Sequence, residues 1–166
     1  MRTIAVTGHM ELTPVTETLV AEALREVLGE LGGGGLLGVS CLAPGADTLF
    51  AEAVLALGGR LAVVLPSAAY REVLAPGEPR ARYDRLLAAA EEVTVLPYAE
   101  PDVAAYEAAN AVLVDLAEVL VAVWDGEPSA LGGGTAAAVA EARRAGIPVR
   151  VVWPAGARRA GRPPQA

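Results

Sequence analysis

Leu116–Gly146 reads LAEVLVAVWDGEPSALGGGTAAAVAEARRAG, and the fold class turns on this stretch. Val119 to Trp124 is a short, almost continuous apolar run rich in valine, the pattern of a parallel strand covered on both faces. Asp125 and Gly126 end the run. Gly132-Gly133-Gly134-Thr135 then opens an alanine-rich helix that stops at Gly146, with Arg143 and Arg144 in its last turn, where cations suit the helix dipole. A helix whose first turn is glycine leaves its backbone N–H groups uncovered, which makes an anion site; on a parallel sheet that anion is most often a phosphate. The alternative is a tight connection that needs positive φ and holds nothing.

Strand and helix patterns alternate on both sides of this unit. Thr3 to Thr7 is a first strand running into Gly8-His9, and Thr13-Pro14 starts a helix with a capping hydroxyl and a first-turn proline. Leu12, Val15, Leu19, Ala23, Val27 and Leu31, or their neighbours, form its apolar stripe, with Glu17, Glu22, Glu26 and Glu30 on the solvated side. Gly33, Gly35 and Gly38 match G-x-G-x-x-G, but this run ends a helix and enters a strand, Leu36 to Ser40. A dinucleotide fingerprint must do the reverse, so the match is discarded. A helix follows from Gly45-Ala46-Asp47, with Leu49, Phe50, Ala53, Val54 and Leu57 apolar, and then a third strand, Arg60 to Leu65. Pro66 to Arg82 has weak periodicity and is expected to be a long loop over the sheet edge, with Tyr70 and Arg71 able to touch a ligand. Tyr83 to Glu91 is predicted as a short helix, Val93 to Leu96 as a strand, Pro101 onward as a helix carrying Tyr106, Asn110 and Leu113 on one side, and Val149 to Trp153 as the last strand. This is an α/β fold: one doubly wound, Rossmann-like, mostly parallel sheet of about six strands with helices on both faces. The domain is expected to span residues 1–154, followed by a disordered basic tail over 155–166.

Composition narrows the function. The formal charge of −7 argues against a nucleic-acid partner, since such surfaces are basic. All thirteen basic residues are arginine, which removes a phosphate-loop lysine and Schiff-base chemistry. His9 is the only histidine and Cys41 the only cysteine, so neither a metal cluster nor an intrachain disulfide is expected. No cofactor is implied. No apolar run approaches a membrane span, and a cytoplasmic location is expected. Positive mean hydropathy in a chain of 166 residues leaves apolar helix faces to cover, and a homodimer is expected.

In doubly wound sheets, ligands sit outside the carboxyl ends of the strands where strand order reverses. The first and fifth strands are predicted to flank that point, with the fourth strand at the edge beside the third. The residues expected to line the ligand or phosphate site are Thr7, Gly8, His9, Cys41, Gly45, Ala46, Asp47, Pro66, Tyr70, Asn110, Asp125, Gly132, Gly133, Gly134 and Thr135. Asp47 is read either as a first-turn carboxylate stabilising its helix or as a contact to a ribose hydroxyl; both can hold.

These motifs, in this order, resemble the SLOG group of Rossmann-like proteins, which takes in the Smf/DprA domain and the LOG hydrolases. Ser40-Cys41-Leu42-Ala43-Pro44-Gly45-Ala46-Asp47 is similar to the DprA pattern S-G-L-A-x-G-I-D, and the glycine turn before Thr135 resembles the LOG pattern P-G-G-x-G-T-x-x-E. Small bacterial members of unknown function are the nearest in pattern. The resemblance implies a nucleotide or nucleotide-derived ligand and a homo-oligomer. It also shows what is missing, because the LOG glutamate falls on Ala138 and the LOG arginine on Ala109. The expectation is a sensor or carrier module. The runner-up is a LOG-type phosphoribohydrolase using Asp47, Asp125 or Glu127 instead, and the weakest reading is an interaction module that has lost its ligand.

Overall fold

The computed structural model describes residues 1–129 and 134–161. Its elements run β1 (Arg2–Gly8), α1 (Pro14–Leu31), β2 (Leu36–Ser40), α2 (Ala46–Ala56), β3 (Arg60–Leu65), α3 (Tyr70–Val73), α4 (Glu78–Ala89), β4 (Glu92–Val95), α5 (Val103–Leu116), β5 (Val119–Val123), α6 (Gly134–Arg144) and β6 (Val149–Val152). The six strands form one sheet in the order β4-β3-β2-β1-β5-β6, and every pair is parallel. This is the α/β architecture expected, with β4 at the edge and β1 beside β5.

Side-chain alternation along each strand builds two layers. Ile4 and Val6 of β1, with Val119, Val121 and Val123 of β5, pack against Val20, Leu24 and Leu28 of α1 and Phe50 of α2. Ala5, Val39 and Leu120 face the other way and meet Ala109 and Leu113 of α5 and Ala142 of α6. The strands at the centre are buried on both sides, which is why β5 reads as an unbroken apolar run. A Cβ on Gly38 would come within 2.5 Å of Val54, so that glycine, the last of the discarded fingerprint, lets α2 lie close on the sheet.

Three expectations change. The buried stripe of α1 is Thr16, Val20, Leu24 and Leu28, one position along from the one read in the sequence, and Val15 is exposed. Pro66 to Arg82 is not a long loop: it holds α3 and the first turn of α4. Its periodicity is weak because its arginines face solvent and acidic partners, Arg71 with Asp84, Arg82 with Glu52 and, one turn on, Arg85 with Glu78. Arg80 Nη2 donates to the Leu74 carbonyl at 2.9 Å and ties the turn between α3 and α4. Finally, the segment expected to be disordered from residue 155 folds back, as far as Gly161, along the approach to α1. Ala160 N–H donates to the Glu11 carbonyl at 2.9 Å, Arg158 N–H to Thr16 Oγ1 at 2.7 Å, and Arg159 bridges antiparallel to Leu12. A polar, arginine-bearing segment can be ordered through its backbone N–H and C=O groups, and composition does not report that. No helix among the described residues is long and apolar enough to cross a membrane.

Candidate functional site

The order of strands reverses between β1 and β5, because α1 and α2 cover one face and α5 and α6 the other. The carboxyl ends of these two strands therefore open a crevice. Thr7 and Gly8 end β1 opposite Ala122 and Val123. A Cβ on Gly8 would lie 2.4 Å from the Ala46 Cβ, and one on Gly45, at φ +85°, within 2.6 Å of the Met10 and His9 carbonyls. Both glycines are thus explained by two loops in close contact, locked by the Ala46 N–H to His9 carbonyl bond at 3.1 Å.

His9 and Asp125 meet at the floor of the crevice. His9 Nε2 lies 3.2 Å from Asp125 Oδ1 and 3.1 Å from the Asp125 amide nitrogen. One nitrogen cannot serve both: a neutral ring accepts from the amide, and an imidazolium donates to the carboxylate. Trp153, just past β6, presents an edge-to-face contact to the ring at 5.5 Å. The Asp125 side chain is 4% exposed, and Arg159 Nη1 stands 3.8 Å from its Oδ2. Burial pulls the Asp125 carboxyl up, but the Glu127 N–H, His9 and Arg159 outweigh it and hold it below the ordinary carboxylate value.

The half of the crevice over β2 and β3 differs in character. Asp47, in the first turn of α2, is 8% exposed; its Oδ2 accepts from the Ala43 N–H at 3.2 Å, and its carbonyl accepts from Ser40 Oγ. Leu42 between them sits at φ +56°, a backbone conformation costly for a branched side chain and commonest where a loop is shaped for a task. Burial raises the Asp47 carboxyl to about 7. Burial first and the Asp47 charge second push the half-buried Cys41 thiol well up, and Tyr70 rises for the same reasons. Tyr70 is buried against Tyr83 and Tyr106, at 5.9 and 6.3 Å between ring centroids. This side offers hydrogen-bonding groups with little fixed charge, suited to hydroxyls and ring edges rather than to a phosphate.

Besides α2, whose first turn carries Asp47, the helices α1 and α6 begin at the crevice. The N-terminus of α1 is already satisfied: Thr13 Oγ1 accepts from the Thr16 N–H at 3.2 Å, Pro14 has no N–H, and the Thr13 N–H donates to Arg158. That of α6 begins at exposed Gly134, φ +66°, and half-buried Thr135. Gly132 and Gly133 lie outside the described residues. Pro66 is buried at the end of β3, and Asn110 is half-buried on α5, one turn beyond Tyr106. Arg71 points away, bound to Asp84 through two bonds of 2.8 Å. Ala109 and Ala138 are buried at 1% and 3%, so packing alone accounts for small residues there. Sequence reasoning missed Arg159, Trp153 and the strained Leu42. Paired arginines just past the last strand were the available signal for the first. A separate cavity of about 240 Å³ at the opposite edge of the sheet is lined by glycines and leucines only, with no side chain to orient a polar ligand.

A scan against protein-family models and a search of curated proteins return no match. Solved structures do match. The DNA processing protein A (DprA) of Streptococcus pneumoniae aligns at a TM-score of 0.67 and 20% identity over 94% of this chain, which spans 52% of that protein. DprA of Helicobacter pylori, described in a single-stranded DNA binding mode, aligns at 0.65 and 18% identity, over 93% of this chain and 67% of that one. The molybdenum cofactor binding protein of Rippkaea orientalis aligns at 0.56 and 19%, over 90% and 75%. At these identities the likeness speaks to architecture: this chain has the Rossmann-like fold shared by DprA, this molybdenum cofactor binding protein and the molybdenum cofactor carrier protein of Chlamydomonas reinhardtii, the fold that its resemblance to the SLOG group implied.

Proposed function

We propose that this protein binds a nucleotide or nucleotide-derived phosphate in the crevice between β1 and β5, as a carrier or sensor module rather than a catalyst. The observation that carries the reading is the start of α6 at the carboxyl end of β5, where Gly134 is exposed at φ +66° and Thr135 is half-buried. The α1 terminus is capped by the chain itself and is the less available of the two to a ligand. Phosphate on the α6 side would leave the rest of the ligand over Asp47, Cys41 and Tyr70. A ribose or base edge matches those groups, and a second phosphate does not. Ala109 and Ala138 favour binding without base release, since neither can donate, accept or carry charge. The molybdenum cofactor carriers that share the fold are named as carriers, in keeping with this reading.

The ligand is a small molecule rather than a nucleic acid. Although one DprA of this fold binds single-stranded DNA, this chain carries −7 net charge, and many of its arginines are engaged by carboxylates. A homodimer would cover Val103, Tyr106 and Leu116 of α5, which are 72%, 40% and 50% exposed; a monomeric mass by light scattering at tens of micromolar removes that part. Scanning fluorimetry against adenine and guanine nucleotides and inorganic phosphate tests the ligand. A rise in Tm that grows with concentration is expected, and no rise for any of them defeats the assignment.

A further inference from the structure

We infer that Arg159 supplies the guanidinium that receives the anionic group of the ligand, with Asp125 and His9 positioning it. The inference rests on the ligand reading above and adds the residue that would meet the charge. Arg159 reaches the crevice because its segment pairs with residues 11–13, and that pairing is made by backbone atoms independent of its side chain. The side chain is 26% exposed, and its Nε is buried with no hydrogen-bond partner. The carboxylate it faces, Asp125 Oδ2, is 3.8 Å away, outside hydrogen-bonding distance. A guanidinium has five donors in a planar fork and gains most from two parallel bonds to one oxyanion. Here Nε has left water without acquiring a hydrogen-bond partner, and the partly exposed fork has no bidentate one, a state that an oxyanion entering the crevice would relieve.

The surroundings favour the same chemistry. Asp125 is held ionised by its neighbours and fixes the position of the guanidinium without saturating it. His9 and Trp153 wall the site on the far side of Asp125. The arginines of the α3–α4 region are engaged within it or with α2: Arg71 with Asp84, Arg82 with Glu52, Arg85 with Glu78, and Arg80 with the Leu74 carbonyl, although Arg80 Nε is itself buried without a partner. A phosphate between Arg159 and the crevice end of α6 would be met by a planar cation from one side and backbone N–H groups from the other.

Isothermal titration of wild type, Arg159→Gln and Arg158→Gln with inorganic phosphate and with AMP tests this. Arg158 is exposed and contributes backbone only, so its variant should bind as wild type does. Arg159→Gln should lose about ten- to a hundredfold in affinity for both anions. If wild type binds neither, the ligand reading falls and takes this inference with it; if wild type binds and Arg159→Gln binds as tightly, the inference alone is overturned. A second measurement needs no variant. Phosphate should slow the modification of Arg159 by phenylglyoxal, followed by peptide mass mapping, while leaving Arg158 unaffected; equal rates at Arg159 with and without phosphate overturn the assignment.

Discussion

Replacing Asp47 by asparagine should stabilise this protein, and increasingly so as pH rises. The carboxyl is buried in the first turn of α2, and its proton is held up to about 7 against an ordinary value of 3.8. An acid whose folded pKa lies above its unfolded one binds its proton more tightly when folded. Its contribution is therefore complete at low pH and is lost as pH climbs from 3.8 to about 7. Roughly three pH units at about 1.4 kcal/mol each amount to about 4 kcal/mol of stability surrendered above neutrality. Asparagine keeps the acceptor that meets the Ala43 N–H and never ionises. Urea denaturation of both proteins at a series of pH values isolates this group, because every other titration cancels in the difference. The advantage of Asp47→Asn should widen by about 2 kcal/mol between about pH 5.5 and about pH 8. A difference that stays flat with pH, or an asparagine variant equally weakened throughout, would refute the argument that burial governs this carboxyl. A carboxylate retained against such a cost is what a ligand-binding role for Asp47 would require.

Other outcomes follow from the same geometry. Gly45→Ala should cost several kcal/mol by thermal or urea unfolding, about 3 or more, since it adds positive-φ strain to contacts under 2.7 Å with two backbone carbonyls. Asp125→Asn should destabilise by about 1–2 kcal/mol at neutral pH. That deficit should shrink as pH falls through the depressed pKa of Asp125, where the wild-type carboxyl also takes up a proton; a deficit that persists in acid would mean the network is not electrostatic. Incubation with AMP, GMP or CMP should release no free base above background by chromatography. Release lost in Asp47→Asn or Asp125→Asn would make the protein a hydrolase after all.

The sequence by itself determined the layered architecture. A five-residue valine-rich run is the pattern of a strand buried on both faces, and its alternation with helix patterns singles out a parallel sheet and leaves few topologies. The adjacency of β1 and β5 and the place of β4 at the edge beside β3 were legible for that reason. What the tertiary structure decided are the reasons behind individual residues. Gly8 and Gly45 could have been ligand residues, and the structure shows two loops pressing together there. Tyr70 and Arg71, adjacent in sequence, part company: a short helix turns one into the core and the other outward to Asp84. Arg159 lies 150 positions beyond His9 in a stretch whose composition reads as disorder, and only backbone pairing with residues 11–13 brings its charge to Asp125. Periodicity encodes which face of an element is buried, but the meeting of loops from distant strands depends on how the whole sheet is assembled.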